Sequence, residues 1–401
     1  MRQSIFPLNM RVACGLGLLV LSSGLARGAA KNPISYPQLA ELTDTAQIIG
    51  EGAGTSVAIS GDTAIVGANN ESTETGAAYV FVKPSSGWAN MTQTATLSAS
   101  DGAEGDGFGQ AVAIDGDTIL VAAQNSSAVY LYVKPASGWR DMTQTAKLTA
   151  SVGQSRFGLA LGISGNTVVI GAYGTNQGTA YVYEKPAAGW VDMQQTGELQ
   201  ASDKGDFGLA VAISGNTIVV GAPTAISQEG VVYVYTKPAD GWTDVQPVAM
   251  LTSKSAFTLA NFGGAVSISG NTVVVGAFLA GNLRTGMAYI FVRPQNGWAN
   301  MTQTAQLFAP IGVQDFGLSV SISGNEIIVG APFSAQSGIA CVYMRPANGW
   351  VTTSRANARL KASDGTNADV FGASVSVSSG TVLVGAFQHN ELRGAAYVFG
   401  P

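Results

Sequence analysis

Residues 262–277 read FGGAVSISGNTVVVGA, and this stretch decides the fold because close variants of it recur along the chain. The variants share a Phe-Gly pair, an alternating segment that ends in Ser, a Gly-Asn or Gly-Asp pair, three apolar residues and Gly-Ala. Seven copies spaced 49 to 55 residues apart indicate an architecture built from one repeated unit. The Phe-Gly pairs are Phe108-Gly109, Phe157-Gly158, Phe207-Gly208, Phe262-Gly263, Phe316-Gly317 and Phe371-Gly372, with Ala53-Gly54 in the first copy.

Each copy predicts four short strands, which we name A to D in chain order. Strand A alternates large and small residues, as in residues 57–60, and strand B is apolar throughout, as in residues 273–275. A strand that is apolar on both sides is expected to be covered on both faces. The Gly-Asn or Gly-Asp pair between A and B predicts a tight hairpin, because Gly tolerates a positive φ. Four-stranded units of about 50 residues predict the blades of a β-propeller.

The two ends of the repeat array complement each other. The seventh copy ends after its strand C, and Ala40-Glu41-Leu42-Thr43, ahead of the first copy, aligns with the strand D segment Ala146-Lys147-Leu148-Thr149. The N-terminal segment therefore completes the last blade and closes a ring without an exposed strand edge. We predict an all-β fold, with residues 31–401 forming one seven-bladed β-propeller. An outer-membrane barrel is disfavoured, since its strands need about 9–11 residues.

The Phe-Gly and Gly-Ala(-Pro) signature resembles the FG-GAP repeat, and Gly221-Ala222-Pro223 and Gly330-Ala331-Pro332 carry its full ending. The resemblance covers roughly residues 38–401 and implies the seven-bladed propeller of integrin α subunits and of many exported bacterial proteins. Several integrin blades bind calcium in the A–B loop through spaced Asp and Asn residues. Here that loop is a single pair such as Gly61-Asp62, whereas calcium needs six to eight oxygen ligands. The family's calcium role is not expected here, and its adhesion role is weakened.

Residues 1–30 predict a secretory signal peptide. Arg2 and Arg11 precede an apolar run at residues 12–25, and small residues suit cleavage after Ala30. The run is shorter than the about 20 residues that a membrane anchor needs. We therefore expect a protein that is secreted or at the cell surface, extracellular or periplasmic, with no membrane span after cleavage.

Charge and cysteine content narrow the class of partner. Residues 1–30 carry three Arg residues and no acidic residue, so their removal changes the formal net charge from −5 to −8. An acidic chain lacks the basic patch that nucleic acid requires. Cys341 is then the only cysteine, so the fold depends on packing without disulfides, and we expect a buried, inert thiol. We expect a monomer whose partner is an extracellular protein or glycan.

No residue pattern predicts catalysis, and the sequence predicts no metal and no cofactor. His389 is the only histidine, so neither a His/Cys zinc site nor a Cys-His pair can form in the mature chain. The recurrent Trp residues of the C–D turns are expected to pack against blade edges, with stacking on sugars as the alternative. Carboxylates of the D–A loops are expected in solvated turns, with a weak calcium site or a glycosidase pair as alternatives. They are Asp101, Glu104, Asp106, Asp203, Asp206, Asp364 and Asp369.

Residues that differ between blades are freer to serve a partner than residues repeated in every blade. The variation is concentrated in the B–C and D–A loops, which share one face of a propeller, and loops on a rigid scaffold often carry binding residues. The sequence therefore predicts a non-catalytic binding or adhesion scaffold that acts through that face. The candidate contact residues are Tyr173, Phe278, Arg284, His389 and Arg393. The alternatives are a carbohydrate-active enzyme, such as a lyase or glycosidase, and a purely structural surface protein.

Overall fold

The computed structural model describes residues 34–401 except for 47, 70–74, 152–155, 175–177, 255–257, 282–283 and 335–336. The predicted signal peptide lies outside the described residues. The strands form seven small sheets whose innermost strands contact one another around a ring. This arrangement confirms the predicted all-β, seven-bladed propeller. No helix within the described ranges is long and apolar enough to cross a membrane.

Strands A and B form the inner hairpin of each blade. Their link in blades 1 to 6 is the predicted Gly-Asn or Gly-Asp turn, in which Gly270 has a φ of +54°, whereas blade 7 has Ser379-Gly380 there. The A strands are β2 (Ala53–Ser60), β7 (Phe108–Asp115), β12 (Phe157–Ser164), β17 (Ala210–Ser214), β21 (Ala265–Ser269), β26 (Ser319–Ser323) and β30 (Val375–Ser378). The B strands are β3 (Thr63–Ala68), β8 (Thr118–Ala123), β13 (Thr167–Ala172), β18 (Thr217–Ala222), β22 (Thr272–Ala277), β27 (Glu326–Ala331) and β31 (Thr381–Ala386).

Strands C and D form the outer half of each blade. The C strands are β4 (Ala77–Val82), β9 (Ala128–Val133), β14 (Thr179–Glu184), β19 (Val231–Thr236), β23 (Met287–Val292), β28 (Ile339–Met344) and β32 (Ala395–Phe399). The D strands are β1 (Gln38–Thr43), β6 (Ala95–Ser98), β11 (Ala146–Thr149), β16 (Gly197–Leu199), β20 (Ala249–Thr252), β25 (Ala305–Phe308) and β29 (Ala358–Leu360).

The core lies between the blades. Strand β22 is buried at all six positions, as its continuous apolar sequence predicts. The Trp residues of the C–D turns belong to these packed layers, and Trp242 is 1% exposed within the cluster that joins blades 3 and 4. Cys341 on β28 is fully buried, and burial raises the pKa of its thiol to about 12. The predictions of a packing role for Trp and of an inert thiol are thus supported by burial.

Glycines of the repeat signature form close backbone contacts between neighbouring blades. A Cβ atom added to Gly276, at the end of β22, would lie 2.0 Å from the carbonyl oxygen of Gly317 in the next blade. The same approach recurs between Gly330 and Gly372 at 2.0 Å and between Gly385 and Gly54 at 2.1 Å. The Phe-Gly and Gly-Ala pairs are therefore two halves of one interface, which explains why they recur together.

The ring closes through β1. This strand pairs antiparallel with β32, so that Glu41 lies opposite Tyr397, and it completes the seventh blade as predicted. Its other edge pairs in parallel with β5 (Met91–Thr92) of the first blade. Ahead of β1, the hydroxyl of Tyr36 donates a hydrogen bond of 2.7 Å to Glu326 in blade 6. The N-terminal segment therefore contacts three consecutive blades.

A fifth short strand in four of the sheets was not predicted. Each comes from the C–D connection of one blade and pairs in parallel with strand D of the preceding blade. A side chain next to the short strand also bonds to strand D of the preceding blade: Asn300 accepts a hydrogen bond of 2.8 Å from the backbone N–H of Met250. These strands are β5, β10 (Met142–Thr143), β15 (Met193–Gln194) and β24 (Met301–Thr302).

Three short helical segments occur in the described B–C loops. They are the 3₁₀ turn η1 (Gln124–Ser126), α1 (Ala225–Gln228) and α2 (His389–Leu392). Neither α1 nor α2 is a regular helix, because Ile226 and Asn390 have φ values of 52° and 50°. Both are tight loops with consecutive left-handed residues, a conformation that costs free energy for side chains other than Gly.

Candidate functional site

His389 begins α2 in the B–C loop of the seventh blade and is directed inward. Its side chain is 11% exposed, and its Nδ1 atom lies 3.0 Å from a carboxylate oxygen of Asp369. The ring also packs edge-on against Tyr397 at a centroid distance of 6.0 Å. His389 was predicted as a surface contact residue, but most of its surface is unavailable to a large partner.

Asp369 fixes the orientation of the His389 ring. It is 1% exposed and accepts hydrogen bonds from the backbone N–H of Thr366 at 2.7 Å and from the Thr366 hydroxyl at 2.5 Å. The expectation that carboxylates of the D–A loops lie in solvated turns is therefore wrong for Asp369. A carboxylate held in this way can orient an imidazole and stabilise its positive charge.

The other ring nitrogen of His389 faces two more carboxylates. Its Nε2 atom lies 3.7 Å from Asp364, which belongs to the loop that enters blade 7. Ligand atoms of Glu41, Asp364 and His389 all lie within 4.8 Å of one another. We call Glu41, Asp364, Asp369, His389 and Tyr397 the blade-7 cluster.

The blade-7 cluster concentrates negative charge at a partly buried place. Burial raises the pKa of Glu41, the charge of Asp364 raises it further, and His389 opposes the shift. Burial also raises the pKa of Tyr397, as do the charges of Asp364, Glu41 and Asp369. Both shifts favour the uncharged forms, so this arrangement of carboxylates is stabilised by protons or by a cation.

The corresponding positions in blade 2 hold an ion pair instead of two carboxylates. There Asp101 stands where blade 7 has Asp364, and Lys147 lies opposite Tyr130 as Glu41 lies opposite Tyr397. Lys147 forms an ion pair of 2.5 Å with Asp101, and the Tyr130 hydroxyl donates to Asp101 at 2.9 Å. Blade 7 has a carboxylate in place of this lysine.

Lys147 and Glu41 also have opposite effects on the nearby aspartate of their own blade. The hydrogen bond from Lys147 lowers the pKa of Asp101 and so favours its charged form. Glu41 is itself negative, so only His389 can offset the charge of Asp364 within the cluster. The blade-7 cluster therefore departs from the repeat in a way that suits a bound cation.

The remaining predicted contact residues are distributed around the ring. Tyr173 lies in blade 3, where the Arg156 guanidinium lies 4.7 Å from its ring. Phe278 and Arg284 lie in blade 5, the first half-buried and the second exposed. Arg393 lies in blade 7 and contacts Glu391 at 3.1 Å. Blades 3, 5 and 7 are not neighbours, so the structure does not bring these residues together as one group, and their role in binding stays a prediction.

Exposed apolar side chains on the face of the B–C and D–A loops were not foreseen. The four most exposed large hydrophobic residues among those described all belong to these loops. Ile311 is 98% exposed, and three further residues are at least 60% exposed: Ile49, Leu259 and Phe333. Single apolar residues inside polar loops carry no periodic signal, so only the structure shows that they share a face. We call this surface the loop face.

Comparison with known families agrees with the repeat signature. The FG-GAP repeat profile matches residues 42–81, 91–133, 142–183, 193–235, 245–291 and 355–399, which together make up more than half of the chain. The chain belongs to the FG-GAP repeat family. Each match ends within or at the end of a strand C, and the matches cover blades 1 to 5 and blade 7 of this FG-GAP protein. Strands A to C of blade 6, β26 to β28, lie outside the matched segments but have the same order and pairing.

The fold also resembles that of solved propeller structures. One is the crystal structure of "a putative 6-phosphogluconolactonase" from Bacteroides uniformis, with a TM-score of 0.54 and 12% sequence identity. The match covers 74% of this FG-GAP protein and 82% of that chain. At this identity the likeness concerns the fold alone. No curated protein sequence matches the chain.

Proposed function

We propose that this FG-GAP protein is a non-catalytic binding scaffold that acts outside the cytoplasm and recognises an extracellular protein or glycan through the loop face. The observation that carries the proposal is that the four most exposed large hydrophobic side chains among the described residues lie there, with Ile311 at 98% and Phe333 at 61% exposure. Scattered single apolar residues are normal on a protein surface. Nearly full exposure of a side chain as large as that of Ile311, in a loop on a rigid scaffold, suits contact with a partner.

Backbone conformation supports the same face. Ile226, Leu259 and Leu392 are exposed apolar residues with φ values of 52°, 64° and 67°. A left-handed conformation costs a non-Gly residue about 1–3 kcal/mol, and the cost is greatest for a β-branched side chain such as Ile226. Strained residues that present apolar groups to solvent are typical of binding loops on a rigid scaffold.

The first test is an array of glycans and extracellular-matrix proteins, probed with calcium and with chelator. We expect saturable binding of the purified protein to an array member. The double variant Ile311→Asp/Phe333→Asp should bind at least tenfold more weakly. The matched control is Val191→Asp/Val351→Asp, which changes two C–D residues that are each 49% exposed and should bind normally. Equal affinity of the two double variants would contradict the assignment of binding to the loop face.

Export has its own test. The predicted signal sequence supports an extracytoplasmic location, and cleavage after Ala30 leaves Lys31 as the first residue. Intact-mass measurement of the protein recovered from its host should give the mass of residues 31–401. A mass that includes residues 1–30 would contradict secretion by cleavage.

The blade-7 cluster is the observation that favours the alternative of a carbohydrate-active enzyme. It combines an oriented imidazole with two carboxylates, groups that general acid and base catalysis uses. We expect no turnover of aryl glycosides or polysaccharides by the purified protein. Turnover that is lost in His389→Gln would reverse this assignment in favour of the enzyme.

A further inference from the structure

We propose that the blade-7 cluster binds one divalent cation of the Zn²⁺ type, through Nε2 of His389 and carboxylate oxygens of Glu41 and Asp364. This site adds metal binding to the loop-face function proposed above, and it is distinct from the A–B hairpins, since its residues come from β1, a D–A loop and a B–C loop. It departs from the expectation, drawn from the sequence, that the protein holds no metal.

Geometry supports coordination by these three residues. Zn²⁺ binds imidazole nitrogen and carboxylate oxygen at about 2.0–2.2 Å, which places two ligand atoms of a tetrahedral site about 3.3 Å apart. The Nε2 atom of His389 lies 3.7 Å from Asp364, too far for a hydrogen bond but near this spacing. The donor atoms of all three residues lie within 4.8 Å of one another, so a small inward movement completes the site.

The buried partner of His389 is a second and independent indication. Imidazoles that ligate metals donate their other N–H to a carboxylate or carbonyl, which fixes the ring and the tautomer. The Nδ1 atom of His389 meets the buried Asp369 at 3.0 Å, and Thr366 holds that carboxylate through two hydrogen bonds. Nε2 is thereby left to face Glu41 and Asp364 with a lone pair.

Charge provides the third indication. In blade 2 the Lys147 ammonium neutralises Asp101, whereas in blade 7 the residue in that position is Glu41. Tyr397 is fully buried beside these carboxylates, and its hydroxyl makes no hydrogen bond of normal geometry to a described residue. A cation at the centre of the cluster would neutralise both carboxylates and give the Tyr397 oxygen a charged neighbour.

The donor set selects the class of ion. One imidazole nitrogen and two carboxylate oxygens suit Zn²⁺, with water in an open position. Calcium prefers six to eight oxygen ligands and magnesium six, and neither favours imidazole. Among the described residues, these three are the group of His, Cys and acidic side chains close enough together to hold an ion.

The test uses protein without a histidine tag, because His389 is the only histidine in the sequence. After chelator treatment and dialysis, Zn²⁺, Mn²⁺ and Ca²⁺ are each titrated by calorimetry, and the ¹⁵N signals of labelled His389 are followed by NMR. We expect one Zn²⁺ per chain, with a shift of the Nε2 signal larger than that of Nδ1.

Three variants make the result specific. Glu41→Lys installs the ion pair that blade 2 already holds, so it should fold normally and bind Zn²⁺ more than tenfold more weakly. His389→Gln removes the nitrogen ligand and should weaken binding to a similar extent. The control Glu391→Gln removes a carboxylate that is 73% exposed in the same loop and should bind as the unmodified protein does. Absence of stoichiometric Zn²⁺ binding, equal binding by Glu41→Lys, or binding of Ca²⁺ alone with no shift of the His389 signals would each overturn the proposal.

Discussion

Replacing Gly276 with alanine tests the interface between blades at one of its close backbone contacts. Gly276 is the penultimate residue of β22, and the carbonyl oxygen of Gly317 in the next blade would lie 2.0 Å from an added Cβ atom. The Cβ of Ala265 lies 3.2 Å from the same point on the other side, so the methyl group cannot move away within its own blade. The substitution must therefore separate blades 5 and 6.

The expected magnitude follows from this distance. An ordinary contact needs at least 3.4 Å, so the two backbones must separate by about 1.4 Å at the centre of a buried layer. Overpacking a close-packed interior costs about 1–3 kcal/mol and occasionally more. Because backbone rather than a flexible side chain opposes the methyl group, we expect a loss near the top of that range, about 3 kcal/mol.

Urea denaturation followed by Trp fluorescence measures the change in the free energy of unfolding. The control is Gly102→Ala, where the nearest atom to the added Cβ lies at an ordinary 3.4 Å and where the effect should stay within about 0.5 kcal/mol. Ala122 is the residue of blade 2 that corresponds to Gly276 of blade 5. An interface can therefore accommodate a methyl group at this position when the facing strand lies farther away. A loss below about 1 kcal/mol for Gly276→Ala would refute the view that close backbone contact requires glycine at this position.

Three further predictions concern burial and ring closure. Burial raises the pKa of Glu326 above its unfolded value, so its charge reduces stability as the pH rises through that raised pKa. Glu326→Gln should therefore raise the melting temperature at pH 7 and leave it nearly unchanged at pH 3, and equal shifts would contradict a role of charge. Cys341, which is fully buried, should react with Ellman's reagent only at the rate of unfolding; fast reaction of the native protein would contradict its burial. Gln93 and Thr45 exchange two hydrogen bonds of 3.0 Å where the ring closes, so Gln93→Ala should reduce the free energy of unfolding by about 1 kcal/mol in urea denaturation, and no loss would show that this contact is dispensable.

The repeat made the blades predictable from the sequence. Phe-Gly and Gly-Ala, or their variants Ala53-Gly54 and Ala122-Ala123, mark the two sides of the interfaces, so the number of repeats gives the number of blades. Residues 40–43 reveal ring closure by matching residues 146–149. The strand β5 was missed because two residues cannot show an alternating pattern. A segment of this length is recognisable only by its parallel pairing with a strand from another blade.

The candidate sites were harder to foresee. Glu41, Asp364 and His389 come from opposite ends of the chain and meet only because β1 completes the last blade. The burial of Asp369 depends on hydrogen bonds to Thr366 within its own loop, which composition does not indicate. The sequence identified His389 as unusual because it is the only histidine, but it gave the residue an outward orientation.

The pairing of β1 with β32 also sets the order of events in folding. Among the strands of the ring, β1 is synthesised first and its partner β32 is synthesised last. In an unstructured chain, bringing the two together would close a loop of about 350 residues at an entropic cost of about 5 kcal/mol, and contacts already formed between the earlier blades reduce that cost. Until then the seventh blade has three strands and a free edge, where a second chain can add a strand in place of β1. We therefore expect domain exchange between copies to be a misfolding route of this ring, one that becomes more frequent as the concentration of unfinished chains rises.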